Sequence, residues 1–140
     1  MEHNQSDYNQ RLIEEFRADR SNNGEAFKGR PLLLLTTTGA RSSQRRATPM
    51  MYVLDGDRLL VIASNAGAPS HPAWYYNLVA HPQVTVEVGR ETYDATATVT
   101  EGAERQRLWT MIVEQRPFFA DHQAKITRQI PVIALERRDG

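Results

Sequence analysis

Leu32 to Leu35 is a run of four leucines, closed by Thr36, Thr37 and Thr38. Four apolar residues are too few for a buried helix, and the β-branched threonines extend the segment as a core strand. Ala47 to Leu54 reads as a second strand, and Asp55-Gly56-Asp57 as a tight hairpin into a third, Arg58 to Ser64. Further on, Val84, Val86 and Val88 alternate with polar neighbours, as do Tyr93, Ala95, Ala97 and Val99, with Gly89-Arg90 turning between them. Pro131 to Leu135 supplies a last strand.

Four segments carry helical spacing instead. Ser6 to Arg20 brings Tyr8, Leu12, Ile13 and Phe16 to one side, with Ser6 or Asp7 as N-cap and Asn22, Asn23 and Gly24 as the stop. Pro72 to Ala80 places Trp74 and Leu78 four apart. Glu101 to Gln115, capped by Thr100, buries Leu108, Trp109, Ile112 and Val113, and Phe118 to Arg128 forms a further short helix. The order α-β-β-β-α-β-β-α-α-β with tight hairpins predicts a mostly β fold with an antiparallel sheet and peripheral helices. About six short strands of this kind close best as a small barrel, one domain over residues 1–140 with 1–24 as an N-terminal helical extension.

Composition narrows the chemistry. Lys and Arg balance Asp and Glu at 17 each, which argues against a general nucleic-acid binder, so any anion site must be local. Without cysteine there is no disulfide, thiolate nucleophile or cysteine-bound metal. His3, His71, His81 and His122 are scattered without metal-ligand spacing, and no metal site is expected. Ser42, Ser43, Ser64 and Ser70 stand in no G-x-S-x-G frame, and neither a G-x-G-x-x-G nor a Walker sequence occurs. No apolar run approaches the roughly 18 residues that cross a bilayer. The expectation is a cytoplasmic protein, at most peripheral to a membrane.

Two stretches carry candidate chemistry. Thr37, Thr38, Gly39, Arg41, Ser42 and Arg46, with Ala47 and Thr48 beyond, bring hydroxyls and guanidinium groups to one turn, and no acidic residue lies between Pro31 and Leu54. Gly39 can take a positive φ and let the chain turn sharply there. An unpaired positive cluster favours an anionic ligand over a solvated loop. Ala63, Ser64, Asn65, Gly67 and Ala68 form a loop of small residues against which a flat ring can lie. With few acid–base groups on offer, the chain suits a cofactor that brings its own reactivity.

The segments LLLLTTTGARSSQRRATPMMY, LLVIASNAGAPSHPAWYYNLVAHPQVTVEV and IPVIAL resemble the deazaflavin-dependent nitroreductase family of actinobacteria. The resemblance runs from Pro31 to Leu135 and implies a split β-barrel that binds coenzyme F-420, a deazaflavin with a phospholactyl and oligoglutamate tail. The family turn T-T-G-x-(K/R)-S-G-x-x-R is similar to Thr37, Thr38, Gly39, Arg41, Ser42 and Arg46, which would hold the tail; Ser43 stands where the family has glycine. The small-residue loop would then line the ring, with Asn65 offering an amide dipole, and Trp74 and Tyr75 would sit near the tail or the wall of the site. Met51, Phe119 and His122 would face substrate, with Ser64 or His122 as proton donor. The implied reaction is hydride transfer to a flat hydrophobic acceptor such as a quinone, an activated enone or a nitroaromatic, with a separate enzyme reducing the cofactor. An FMN-dependent oxidoreductase of the same barrel and a non-catalytic carrier of the deazaflavin or of a lipid-like ligand are the rival readings. The sequence does not fix the oligomeric state.

Overall fold

The computed structural model describes residues 2–18 and 32–138. The elements run α1 (Glu2–Ala18), β1 (Leu32–Thr38), β2 (Arg45–Met51), β3 (Val53–Asp55), β4 (Arg58–Ile62), a short 3-10 turn (Asn65–Gly67), α2 (Ala73–Ala80), β5 (Gln83–Val88), β6 (Glu91–Val99), α3 (Gly102–Gln115), α4 (Phe118–Ala124) and β7 (Val132–Arg137). The seven strands form one antiparallel sheet in the order β2-β1-β5-β6-β7-β4-β3.

The second expected strand divides. Between β2 and β3 stands only Tyr52, yet the two strands occupy opposite ends of that order. A flat sheet of seven strands at about 4.8 Å spacing would separate its edges by about 29 Å, far beyond what one residue spans. The sheet therefore curls until its edges meet, which accounts for a count of seven rather than six.

Curling gives each strand an inner and an outer face. Leu33 and Leu35 of β1, Leu59 and Val61 of β4, Val84 and Val86 of β5 and Ala95 and Ala97 of β6 pack inward, closed over by Leu78, Trp74 and Tyr75 of α2. Leu32 and Leu34 turn outward beneath Leu12, Ile13 and Phe16 of α1. Both faces of β1 are covered, so its four leucines run without a polar break. On the far side, Leu60 and Ile62 of β4 and Val132 and Ala134 of β7 meet Leu108 and Ile112 of α3 and Phe119 of α4.

Several local expectations are corrected. The first helix begins at Glu2, ahead of Ser6 and Asp7, and its expected stop at Asn22 to Gly24 lies outside the described residues. Tyr8 is exposed while Leu12, Ile13 and Phe16 are buried, because the helix touches the sheet only along its second half. Arg17 fixes that half, donating from Nε and Nη2 to the two carboxylate oxygens of Glu87 at 3.1 and 2.7 Å. Thr100 does not cap α3; its hydroxyl donates to the Val132 carbonyl at 2.8 Å, and Glu101 takes the N-cap position without a side-chain bond. No helix among the described residues is long and apolar enough to cross a membrane.

Candidate functional site

The threonine and arginine turn is built by contact more than by sequence pattern. Gly39 donates its N–H to Gln44 O at 2.8 Å, and Ser43 donates to Gly39 O at 3.0 Å. Gly39 itself does not adopt positive φ; Ser43 does, at 62°. A Cβ at 39 would overlap Ser42 Oγ, so a larger residue there must turn that hydroxyl away from the Gln44 N–H. Ser42 Oγ accepts the Gln44 N–H at 3.1 Å, which spends one lone pair on shaping the turn. From α2, Asn77 accepts the Ala40 N–H at 3.0 Å and donates to Thr37 Oγ1 at 3.2 Å.

Antiparallel register sorts the side chains. Thr37 faces Arg46, and Thr38 faces Arg45. Thr37 is buried on the inner face, so Arg46 and Thr48 rise from the same side of β2. Arg45 lies on the outer side and is absorbed, donating to Thr38 Oγ1 at 3.0 Å and Thr85 Oγ1 at 2.6 Å. Ala47 packs against the α1 cluster, away from the Arg46 face, because neighbouring strand residues point oppositely. Arg41 and Arg46 are exposed and form no salt bridge among the described residues.

The small-residue loop is strained. Asn65, Ala66 and Gly67 follow one another at φ of 51°, 54° and 81°, in the left-handed region that L-residues avoid. Gly67 donates to Ser64 O and Ala68 to Asn65 O, each at 3.0 Å. Asn65 is exposed and its amide donates to Ser70 O at 3.0 Å, so that donor shapes the loop instead of reaching a ring. What holds the conformation is Arg128. Its guanidinium donates to Ala63 O at 3.2 Å, to Ser64 O at 2.9 Å and twice to Ala68 O at 3.2 and 3.0 Å. It also meets His71 Nδ1 at 3.0 Å, which requires a neutral imidazole with its proton on Nε2. Burial, and then the Arg128 charge, push His71 below its ordinary pKa. Sequence reading passed over Arg128 because its partners stand 57 to 65 residues away.

Ser64 is buried beside this loop, and His122 Nδ1 lies 3.3 Å from its Oγ. Of the expected companions of His122, Phe119 is buried in the α3–α4 cluster yet meets the His122 ring edge-on at 5.9 Å between centroids, whereas Met51 packs beneath α1 with Leu32 and Leu34. Exposed Phe118 stacks on Phe119 and approaches the His122 ring edge at 5.6 Å between centroids, a contact the sequence reading did not single out. Trp74 and Tyr75 are half-buried against the inner cluster. No group of metal-ligating side chains occurs among the described residues.

A cation turn without a carboxylate and a small, strained loop thus follow β1 and β4 at the same end of the curled sheet, both tied to the segment His71 to Asn77. A family model described as F-420H(2)-dependent quinone reductase matches residues 10–137. The chain belongs to that family. Among other members of this quinone reductase family, an F-420H(2)-dependent quinone reductase of Mycobacterium tuberculosis is 40% identical over 111 residues, 77% of this chain and 74% of the relative. A solved F-420-H(2) dependent reductase, FDR-A, superposes with a TM-score of 0.70 at 42% identity, covering 76% of this chain and 95% of that one. A second structure, described as a domain-swapped dimer, gives the same TM-score at 37% identity over 91% of this chain and 98% of its own. The quinone reductase family is thereby joined to the split-barrel architecture that the hairpin order predicts.

Proposed function

We propose that this chain transfers a hydride from reduced coenzyme F-420 to a flat, quinone-type acceptor, with the tail of the cofactor at the Thr37–Arg46 turn and its ring against the Ala63–Ala68 loop. The observation that carries the reading is the pair Arg41 and Arg46, exposed and free of carboxylate partners among the described residues beside a turn that Asn77 fixes. That donor set fits a phosphate followed by carboxylates. Family membership favours the deazaflavin over FMN, and the quinone reductase activity for which the relatives are named favours a reductase over a passive carrier.

When bound, the deazaflavin supplies the hydride. The residues of the chain bind, orient and protonate. Arg41 and Arg46 anchor the charged tail, each charge-assisted hydrogen bond contributing about 1.5 to 3 kcal/mol, less where salt screens it. Arg128 keeps the loop in the one shape that presents Ser64, and the barrel fixes the angle of approach. Ser64 Oγ, 3.3 Å from His122 Nδ1, can release a proton toward a developing oxyanion and recover it from the imidazole.

The test is a titration of the pure protein with F-420 and with FMN, repeated on Arg41→Ala and Arg46→Ala. Tight F-420 binding that weakens about tenfold or more in each variant, followed by quinone-dependent loss of reduced-cofactor absorbance, is expected. Equal affinity in wild type and both variants would contradict the assigned turn.

A further inference from the structure

A cleft of about 310 Å³ is lined by His71, Tyr75, Thr100, Gly102, Arg105 and Gln129 among others. Arg105 is only 6% exposed, deeply enough buried to need an account of its charge. Its Nη2 donates to the Ile130 carbonyl, and its guanidinium lies 4.7 Å from the centre of the Trp109 ring. Neither contact neutralises it. Nε has no partner, and no carboxylate lies within salt-bridge distance among the described residues. Glu104, one position away, is engaged with Arg58 at 3.1 Å. Burial lowers the pKa of Arg105, in keeping with a cation that lacks its counter-charge.

The same cleft receives the start of α3. Because Thr100 has turned its hydroxyl to Val132 and Glu101 offers no side-chain cap, the first N–H groups of a 14-residue helix are uncapped by any side chain at Glu101 or Thr100. The partial positive charge of that terminus and the guanidinium one turn further on reinforce each other. Buried cations in folded proteins are paired, and the partner that this geometry accommodates is a small oxyanion.

We infer that the cleft between α3 and the His71–Tyr75 segment is a binding site for a carboxylate or phosphate group, held by Arg105 and the uncapped N-terminus of α3. Glu101, exposed at the rim, sets the limit on affinity by repelling such a ligand. With one guanidinium and a helix terminus as donors, and water at the opening, the expected Kd is millimolar for the isolated ion. His71 stands both in this wall and against Arg128, so an occupied cleft would touch the element that braces the Asn65–Gly67 loop.

The experiment is a 15N-resolved NMR titration of the full chain with sodium phosphate and, separately, with sodium acetate, against sodium chloride at equal ionic strength. It requires no redox cofactor, so its outcome is independent of the quinone reductase reading. The Gly102 amide and the Arg105 Nε–H signals should shift and saturate, with the stronger of the two ions showing whether phosphate or carboxylate is preferred. Saturation confined to the Gly39–Gln44 amides, with Gly102 and Arg105 unmoved, would overturn the site. Arg105→Met should weaken the Gly102 response at least tenfold, and exposed Glu101→Gln should tighten it roughly threefold. If Arg105→Met fails to fold, Glu101→Gln decides alone, and an unchanged Kd in that variant counts against the proposal.

Discussion

Asn77 on α2 bonds Thr37 on β1 across 3.2 Å, and with its other amide atom takes the N–H of Ala40 at 3.0 Å. One side chain thus fixes the strand end and the turn that follows. Asn77→Ala leaves a buried threonine hydroxyl and a backbone donor without those partners, so the protein should lose about 1 to 3 kcal/mol in urea unfolding. F-420 affinity should fall with it, although Asn77 carries no charge. Retained affinity at reduced stability would show that the turn orders itself without α2.

Arg128 is the corresponding brace of the small-residue loop. Arg128→Lys keeps the charge but not the planar fork that reaches three carbonyls, and should relax the left-handed Asn65–Gly67 segment. The expected outcome is a drop in kcat of about tenfold with a smaller change in F-420 Kd, since the tail contacts survive. Arg128→Gln should fall further in both. Steady-state kinetics combined with the redox potential of the bound cofactor separate this from general loosening.

Stability should depend on pH through His71. Its folded pKa lies below the ordinary value of 6.5, so the unfolded chain takes up a proton that the folded chain resists. The contribution is complete above about pH 6.5 and is lost as pH falls through the unfolded pKa, levelling off once the folded pKa is passed. Urea midpoints measured from pH 7 down to pH 5 should fall more steeply for the wild type than for His71→Asn, which keeps an acceptor for Arg128 but cannot titrate.

Positions 39 and 43 should respond in opposite directions. Ser43→Gly relieves a left-handed residue and should stabilise by up to about 1 kcal/mol, after the entropy that glycine adds to the unfolded chain. Gly39→Ala drives a methyl into Ser42 Oγ and should destabilise despite an ordinary φ. Thermal melts of the two variants check both signs.

What was legible in the sequence was the strands and the cationic turn. Alternating valines and a leucine run bounded by turn residues have few other readings, and three arginines without an acid nearby stand out in any order. The break at Tyr52 was not legible, because an aromatic residue between Met51 and Val53 continues a strand pattern while the chain crosses from one sheet edge to the other. Gly39 was marked for a positive φ that it does not adopt, and its close approach to a neighbouring hydroxyl leaves no trace in composition. Thr100 looked like a cap because the competing carbonyl of Val132 is 32 residues away. Arg128 and Arg105 were missed for the same cause: their roles exist only once distant segments are brought together.

The single residue at Tyr52 makes the seam of the barrel covalent. No slack is available there, so separating β2 from β3 must strain the backbone of the joint itself, and the two rims open or hold as one. Added length would be tolerated at the hairpin tips near Gly56 and Gly89, whereas even a short insertion beside Tyr52 would free the N-terminal half to swing outward and seek the same berth on another copy of the chain.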